Sequence, residues 1–167
     1  MAKERQVGVL AYFRRAGGME ILLARHKRGF LSGRRNGYGG KRNERSEKIR
    51  DTLARELREE CPGMTFDPAR AEHVATILFF NGEGKKFLVY VFFIDEWNGE
   101  PQDGDGMEDP RWYPVYTAPY RGGQMAPGDV LWLPPAVMGR RSAVIVEYDD
   151  GLRKVLRYRY RALKRFV

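Results

Sequence analysis

Three carboxylates stand close together near the middle of the chain and could bind a divalent cation. Glu56, Glu59 and Glu60 end a run of residues with good helix-forming character. On a helix, at about 100° per residue, they fall within an arc of roughly 100°. Like charges at this spacing repel, and Mg²⁺, which takes oxygen ligands and accompanies phosphates, would turn that repulsion into binding. The alternative is an acidic face that meets only solvent.

A buried stripe on the same helix would hold the carboxylates at the rim of the core. A glycine pair, Gly39-Gly40, precedes the helix and lets the backbone turn. Cys61 ends the stripe, so we interpret it as a packed thiol. It is the only cysteine in the sequence, which excludes an internal disulfide. The stripe consists of Ile49, Leu53, Leu57 and Cys61.

The order of residues around the acidic helix resembles the Nudix box, Gly-x5-Glu-x7-Arg-Glu-U-x-Glu-Glu-x-Gly-U, in which U is a bulky apolar residue. The match runs without a gap from Glu47 to Glu60. Two departures lie at its ends. Six residues rather than five separate Gly40 from Glu47, and Cys61-Pro62 stands where the box has one residue before Gly63. We expect loops to absorb both insertions without changing the spacing of the carboxylates.

The resemblance to the Nudix family implies a fold, a reaction and several residue roles. It implies an α+β fold, a mixed β-sheet between α-helices, in one domain over residues 1–167. It also implies hydrolysis of a nucleoside diphosphate linked to another group, with Mg²⁺ or Mn²⁺ as cofactor. The implied metal-binding and catalytic residues are Glu56, Glu59, Glu60 and the carbonyl of Gly39, with Glu56 also acting on the attacking water. The implied structural residues of the motif are Gly40 and the pair formed by Glu47 and Arg55.

A long, glycine-rich loop before the box narrows the resemblance. Residues 26–41 are too many for a plain connection, and long loops often carry function. Their pattern is similar to that of the MutT-homologue enzymes, which hydrolyse oxidised purine deoxynucleoside triphosphates. Asn36 matches a purine-recognising asparagine of that subfamily, and Phe30 matches an aromatic residue of its base pocket. Further expected substrate contacts are Phe79 as an apolar wall and His26 and Lys27 at the triphosphate.

A second segment supports the same subfamily but departs from it at two positions. The subfamily has Met-Trp-Pro-Asp-Asp followed two residues later by Trp-Phe-Pro, whereas this chain has Ala126 and Gly128 at the second and fourth positions. The resemblance implies that Asp129 binds the base edge and that Trp132 supports the pocket. The alternative for Asp129 is a helix cap without a ligand.

The acidic stretch 103–110 precedes the aromatic strand 111–113 and could supply one more metal ligand. Enzymes of the subfamily often carry an acidic ligand at this place, and Glu108 is the candidate here. A solvated acidic loop is the alternative.

The net charge of +8 favours polyanionic partners. Basic residues concentrate before the box and in the tail from Arg153 to Arg165. In the tail they alternate with apolar residues, which predicts the solvent-exposed face of an edge strand. No run of about 18 apolar residues and no signal peptide are present, so we expect a cytoplasmic protein without a membrane partner. We expect a monomer, and nucleic acid is not the favoured partner.

The remaining chain predicts strands and one more helix around these motifs. We expect strands at 6–14, 19–25, 71–81, 86–96, 111–113, 142–148 and 153–160, and a helix beginning near Pro127. The predicted function is a magnesium-dependent pyrophosphohydrolase of an oxidised purine triphosphate such as 8-oxo-dGTP. The alternatives are a Nudix hydrolase of ADP-ribose or an RNA cap, and a nucleotide- or RNA-binding module without turnover.

Overall fold

The structure is a computed structural model that describes residues 5–82 and 84–164. Glu83 of a predicted turn and Arg165 of the basic tail lie outside the described residues. The strands are β1 (Gln6–Arg15), β2 (Glu20–His26), β3 (Arg35–Asn36), β4 (Tyr38–Lys41), β5 (Met64–Phe66), β6 (Glu72–Phe80), β7 (Lys86–Ile94), β8 (Trp97–Gly99), β9 (Met107–Pro114), β10 (Arg141–Tyr148) and β11 (Val155–Leu163). The α-helices are α1 (Ile49–Glu60) and α2 (Asp129–Val137).

A mixed sheet runs through the described residues in the order β11-β10-β6-β7-β1-β2-β3. β1 lies parallel to β7, and β6 lies parallel to β10, while the other pairs are antiparallel. β4 adds to the first half of β1, and β9 adds to β2. β1 therefore pairs with β4, which carries the glycine pair, and also with β7 and β2 in the main sheet.

Alternation along β1 divides the core between the two faces of the sheet. Val9, Ala11 and Phe13 pack on the side of α1, whereas Tyr12 packs on the side of α2 with Trp132. Successive strand residues point to opposite faces, so one strand can contribute to both clusters. The predicted mixed sheet between helices is confirmed.

The helix α1 is unbroken in spite of the two insertions in the box. Leu53 and Leu57 are buried, and the backbone N–H of Cys61 closes the last turn on the Leu57 carbonyl. At the other end, the side chain of Arg55 donates to the Lys41 carbonyl at 3.0 Å and ties the longer loop to the helix. Cys61 is a buried free thiol, as predicted.

The helix α2 begins differently from the prediction. Gly128 is the N-cap residue, no side chain caps the helix, and Asp129 is the first helical residue. The interpretation of Asp129 as a helix cap is therefore wrong. Pro135 lacks the N–H that would bond to the Leu131 carbonyl, and the Tyr158 hydroxyl donates to that carbonyl at 3.3 Å instead.

Short strands occur where the sequence indicated only loops. The loop 26–41 contains β3 and β4, and β9 begins at Met107, four residues before the predicted strand. β11 begins at Val155 rather than at residue 153 and forms the edge of the sheet, as predicted. Among the described residues, no helix is long and apolar enough to cross a membrane.

Candidate active site

The three carboxylates occupy the last two turns of α1, beside the glycine strand, our name for β4 with its pair Gly39 and Gly40. The backbone N–H of Gly39 donates to Oε2 of Glu60 at 3.0 Å. The pKa of Glu60 is raised to about 8, chiefly by burial and in smaller part by the charges of Glu56, Asp105 and Glu59, while the Gly39 bond opposes the shift. A buried carboxyl group among other carboxylates is short of positive charge.

An arginine fixes the neighbouring carboxylate. Arg55 donates to Glu56 at 2.7 Å and to Glu47 at 2.9 and 3.2 Å, so the predicted pair of Glu47 and Arg55 is present. Hydrogen bonding by Arg55 and by the N–H of Asn43 lowers the pKa of Glu47 to about 2. Burial raises the pKa of Glu56, while Arg55 opposes this shift. Arg55 therefore orients Glu56 and also anchors the loop.

The glycine pair has no room for side chains. A Cβ atom at Gly39 would lie 2.0 Å from the Val9 carbonyl oxygen, and one at Gly40 would lie 2.2 Å from the carboxyl carbon of Glu56. The close approach of β4 to β1 therefore requires glycine at position 39, and glycine at position 40 leaves room for the Glu56 carboxyl group.

The oxygen-rich site suits a hard divalent cation. Glu56, Glu59 and Glu60 supply carboxylate oxygens, and the raised pKa of Glu60 indicates a carboxyl group that a nearby cation would ionise. Within the described part of the chain, no group of three or more His, Cys, Asp or Glu side chains is already arranged to hold a metal ion. The chemistry of the donors, three carboxylates beside a backbone carbonyl, fits Mg²⁺.

The acidic loop before β9 contacts α1 through Asp105 rather than Glu108. The backbone N–H of Asp105 donates to the Glu59 carbonyl at 3.0 Å, and the Asp105 carboxylate pairs with Arg28. Glu108 lies in β9 and pairs with Arg25 at 3.1 Å. Asp105 is thus the residue of this loop whose charge acts on Glu60.

A cleft of about 210 Å³ has Gly39 and Gly40 on one side, next to Glu60 and Glu56, and mainly apolar side chains on its other walls. We call the side lined by Gly39, Gly40 and Lys41 its outer part. A smaller cavity of about 60 Å³ continues inward and shares several of its walls, including Asn36. The predicted site residues on these walls are His26, Phe30, Asn36, Gly39, Gly40, Phe79, Asp129 and Trp132.

Asn36 is held so that its amide nitrogen stays available. Its Oδ1 accepts hydrogen bonds from the Tyr12 hydroxyl at 2.8 Å and from the Gly37 N–H at 2.9 Å. A Cβ at Gly37 would lie 2.4 Å from the Ala11 carbonyl oxygen, so this close backbone approach also requires glycine. With the oxygen engaged, the NH₂ group can donate to a ligand in the cleft.

Asp129 is a buried acid with an unused oxygen. It is 7% exposed, Trp132 Nε1 lies 3.4 Å from Oδ1, and Oδ2 has no partner among the described residues. Burial raises the pKa of Asp129 to about 7, opposed by Trp132, the charge of Arg34 and the backbone of Ala126. An unpaired buried oxygen costs free energy, which a ligand could recover.

Aromatic rings form the wall opposite these polar groups. Phe79 stacks on Phe87 with 4.7 Å between ring centroids, and Phe30 covers Phe87 at 5.7 Å while remaining 48% exposed. Lys41 Nζ lies 5.9 Å from the centroid of the Phe87 ring. A flat ring of a ligand could therefore lie against this wall with a cation at its outer edge.

The two residues predicted to bind phosphate differ in position. His26 lines the cleft, and its Nε2 atom is buried without a partner among the described residues. Burial lowers the pKa of His26 and so favours its uncharged form. Lys27 is exposed and lies outside the lining of the cleft, where Arg28 and Lys41 are the cations.

Sequence reasoning missed several residues of this site. Tyr12 orients Asn36 and contacts Trp132, with ring centroids 5.9 Å apart, so it links both polar sides of the pocket. Its place in an apolar strand concealed this role. Other lining residues that the sequence did not single out are Leu10, Leu31, Phe87, Val89 and Tyr148.

The fold and the site define a class of hydrolase. Residues 4–131 match the NUDIX domain, and the chain belongs to the Nudix family of hydrolases. Hydrolases of this family generally need a divalent metal ion.

Two similar relatives have named activities. The chain is 37% identical over 122 residues to the oxidized purine nucleoside triphosphate hydrolase of Danio rerio, covering 72% of this chain and 74% of the relative. It is 33% identical over 131 residues to the mouse protein of the same name, covering 78% of this chain and 80% of the relative.

Solved structures share the fold. A MutT protein from Bacillus halodurans superposes with a TM-score of 0.75 at 22% identity, covering 93% of this chain and 97% of that one. The ORF135 protein of E. coli gives a TM-score of 0.63 at 26% identity, covering 81% and 90%. The arrangement of sheet and helices is therefore common to these proteins.

Proposed function

We propose that the protein is a Mg²⁺-dependent pyrophosphohydrolase of oxidised purine nucleoside triphosphates. It converts a substrate such as 8-oxo-dGTP to the nucleoside monophosphate and pyrophosphate, and thereby removes damaged nucleotides from the precursor pool. Mn²⁺ is an alternative cofactor.

The observation that carries this proposal is the continuity of the cleft. Asn36 and Asp129 lie at its inner end, whereas Gly39 and Gly40 lie at its outer part, next to Glu60. A single nucleotide could therefore place its base inside and its phosphates beside the carboxylates. Recognition of the base and hydrolysis of the phosphate chain would therefore take place in the same cleft.

Base recognition would use two polar groups held by other residues. Asn36 offers its amide N–H groups, and Oδ2 of Asp129 accepts from a ring N–H or an exocyclic amine. The Phe79 and Phe87 rings would pack against the face of the purine.

Hydrolysis would depend on the end of α1. Glu56, Glu59 and Glu60, with the carbonyl of Gly39, would hold the metal, and Arg55 keeps Glu56 in place. A bound divalent ion neutralises charge that develops on the phosphoryl group and activates water. Lys41 and Arg28, at the outer part of the cleft, would bind the remaining phosphate charge. Glu108, whose carboxylate pairs with Arg25, would be an additional ligand.

The named relatives support this substrate class. Both are called oxidized purine nucleoside triphosphate hydrolases, and the aligned lengths include most of either chain. The proposal extends to one domain and to a monomeric, cytoplasmic enzyme. Light scattering coupled to gel filtration would test the monomer, since a dimer would double the mass of 19.3 kDa.

A panel of nucleotides tests the proposed function. Purified protein with Mg²⁺ is incubated with 8-oxo-dGTP, dGTP, ADP-ribose and a capped RNA, and the products are separated by ion-exchange chromatography. We expect 8-oxo-dGMP and pyrophosphate as the main products, with the highest kcat/KM for 8-oxo-dGTP. A higher kcat/KM for ADP-ribose or capped RNA would contradict the proposed substrate class. Binding of all four compounds without turnover would contradict the proposal that the protein is an enzyme.

A further inference from the structure

The hydroxyl group of Tyr148 occupies the place of a side chain at position 128. A Cβ atom built on Gly128 would lie 2.3 Å from Tyr148 Oη and 3.1 Å from Tyr148 Cζ. Gly128 has φ −75° and ψ −17°, which any residue adopts, so its backbone does not require glycine. The glycine instead leaves room for the phenol.

Tyr148 lines the inner end of the cleft with Asn36 and Asp129. It is 5% exposed, and its ring meets Phe79 edge to face, with centroids 6.2 Å apart. Tyr148 is the last residue of β10 and pairs with Val155 of β11, next to an irregularity in register at Glu147. The hydroxyl is therefore carried on a strand residue and not on a loop.

The hydroxyl keeps its proton available for a ligand. Its oxygen accepts a hydrogen bond from the backbone of Gly128, which leaves the O–H to donate to a ligand. Burial and the charge of Asp129 hold the pKa of Tyr148 well above its usual value, so the group is an O–H donor at every pH at which the enzyme would work.

The inner end of the pocket therefore carries both a donor and an acceptor on its walls. Tyr148 is the donor, and Oδ2 of Asp129 is the acceptor. A 6-oxopurine such as guanine carries the complementary pair, a carbonyl oxygen next to a ring N–H. A 6-aminopurine carries the reverse pair, an amine next to a ring nitrogen with a lone pair, so it offers no carbonyl acceptor to the Tyr148 O–H and sets a lone pair against the Asp129 oxygen.

We propose that Tyr148 is a specificity-determining residue of the base pocket, whose hydroxyl donates a hydrogen bond to the carbonyl oxygen of a 6-oxopurine. This assignment rests on the proposed function. It gives the enzyme a preference for guanine-type over adenine-type oxidised nucleotides.

The test compares two substrates that share the oxidised C8 position. The kcat/KM values for 8-oxo-dGTP and 8-oxo-dATP are measured for the wild type, Tyr148→Phe and the control Tyr158→Phe. The control removes a phenol of β11 that donates to the Leu131 carbonyl and lies outside the lining of the cleft. We expect Tyr148→Phe to lower the ratio of kcat/KM for 8-oxo-dGTP to that for 8-oxo-dATP by roughly tenfold. The loss should fall mainly on 8-oxo-dGTP, because its buried carbonyl oxygen is left without a donor. The control should leave the ratio unchanged.

A second variant tests the same group without removing it. Gly128→Ala should displace the Tyr148 hydroxyl and lower the ratio in the wild type, but should lower it little further in the Tyr148→Phe background. An equal loss on both substrates in Tyr148→Phe, or an unchanged ratio in Gly128→Ala, would overturn the assignment of Tyr148 and leave the proposed function intact. Absence of wild-type turnover of 8-oxo-dGTP would overturn the proposed function and this assignment with it.

Discussion

The backbone N–H of Gly39 donates a hydrogen bond of 3.0 Å to Oε2 of Glu60, which joins the glycine strand to the end of α1. Gly39 also lines the cleft that leads to Asn36. A shift of the carboxylates would therefore move the wall of the substrate cleft. This hydrogen bond therefore links the proposed metal-binding residues directly to the cleft proposed to bind the base.

The carboxylates of α1 should be necessary for turnover and dispensable for folding. Glu56→Gln, Glu59→Gln and Glu60→Gln should each lower kcat by about 10²–10⁴, the usual contribution of a positioned base or a metal contact. Each keeps the size of the side chain, so thermal unfolding should change little. Glu96→Gln is the control, because Glu96 pairs only with Arg70 on the surface among the described residues. Near-full turnover in any two of the three variants would refute the assignment.

The cation at the outer part of the cleft should bind phosphate. Lys41→Met should raise KM for the triphosphate by up to about fivefold at low salt, a size expected for an exposed charge pair. The effect should shrink as salt rises, because charges are screened over about 8–10 Å at 0.1–0.15 M. Arg159→Met, on the edge strand β11, is the matched control. A larger rise in KM for the control would indicate that phosphate binds at the basic tail.

Asp129 should make folding stability depend on pH in a defined direction. Its pKa rises from 3.8 to about 7 on folding because the carboxyl group is buried. Between these values the unfolded chain has lost the proton that the folded protein keeps, so stability falls as pH rises from about 4 to about 7 and then levels off. A shift of about 3 units corresponds to up to about 4 kcal/mol.

Urea denaturation of the wild type and Asp129→Asn at pH 5 and pH 8 measures this effect. The variant cannot ionise at this position, so the difference in unfolding free energy between the two proteins should change with pH, in favour of the variant at pH 8. Other titrating groups, including Glu60, cancel in the comparison. Parallel pH dependence in the two proteins would show that Asp129 is not held neutral by burial.

The sequence predicts the parts of the fold whose signals are local. The apolar stripe Ile49, Leu53, Leu57 and Cys61 predicts the buried face of α1, and alternating apolar residues predict the long strands. The two-residue strand β3 and the four-residue β4 were missed because pairing with β2 and β1, and not local propensity, makes them strands.

The candidate site was predictable where a motif names its residues, and less so where contacts cross the chain. The clustering of the carboxylates follows from their spacing, whereas Asn36 and Asp129 follow from the resemblance to the MutT-homologue enzymes. The role of Tyr12 depends on Asn36, 24 residues away, and that of Tyr148 depends on the space left by Gly128. The charge state of His26 follows from burial, which a loop sequence does not indicate.

The most direct test of the central claim is the effect of Asp129→Ala on kcat/KM for 8-oxo-dGTP and for dGTP at saturating Mg²⁺. If the cleft between Asn36 and Asp129 binds the oxidised base, the variant should lose roughly tenfold to a hundredfold on 8-oxo-dGTP and lose most of its preference over dGTP. Its Mg²⁺ requirement should be unchanged. An unchanged preference, with an unchanged kcat/KM for 8-oxo-dGTP, would contradict the account.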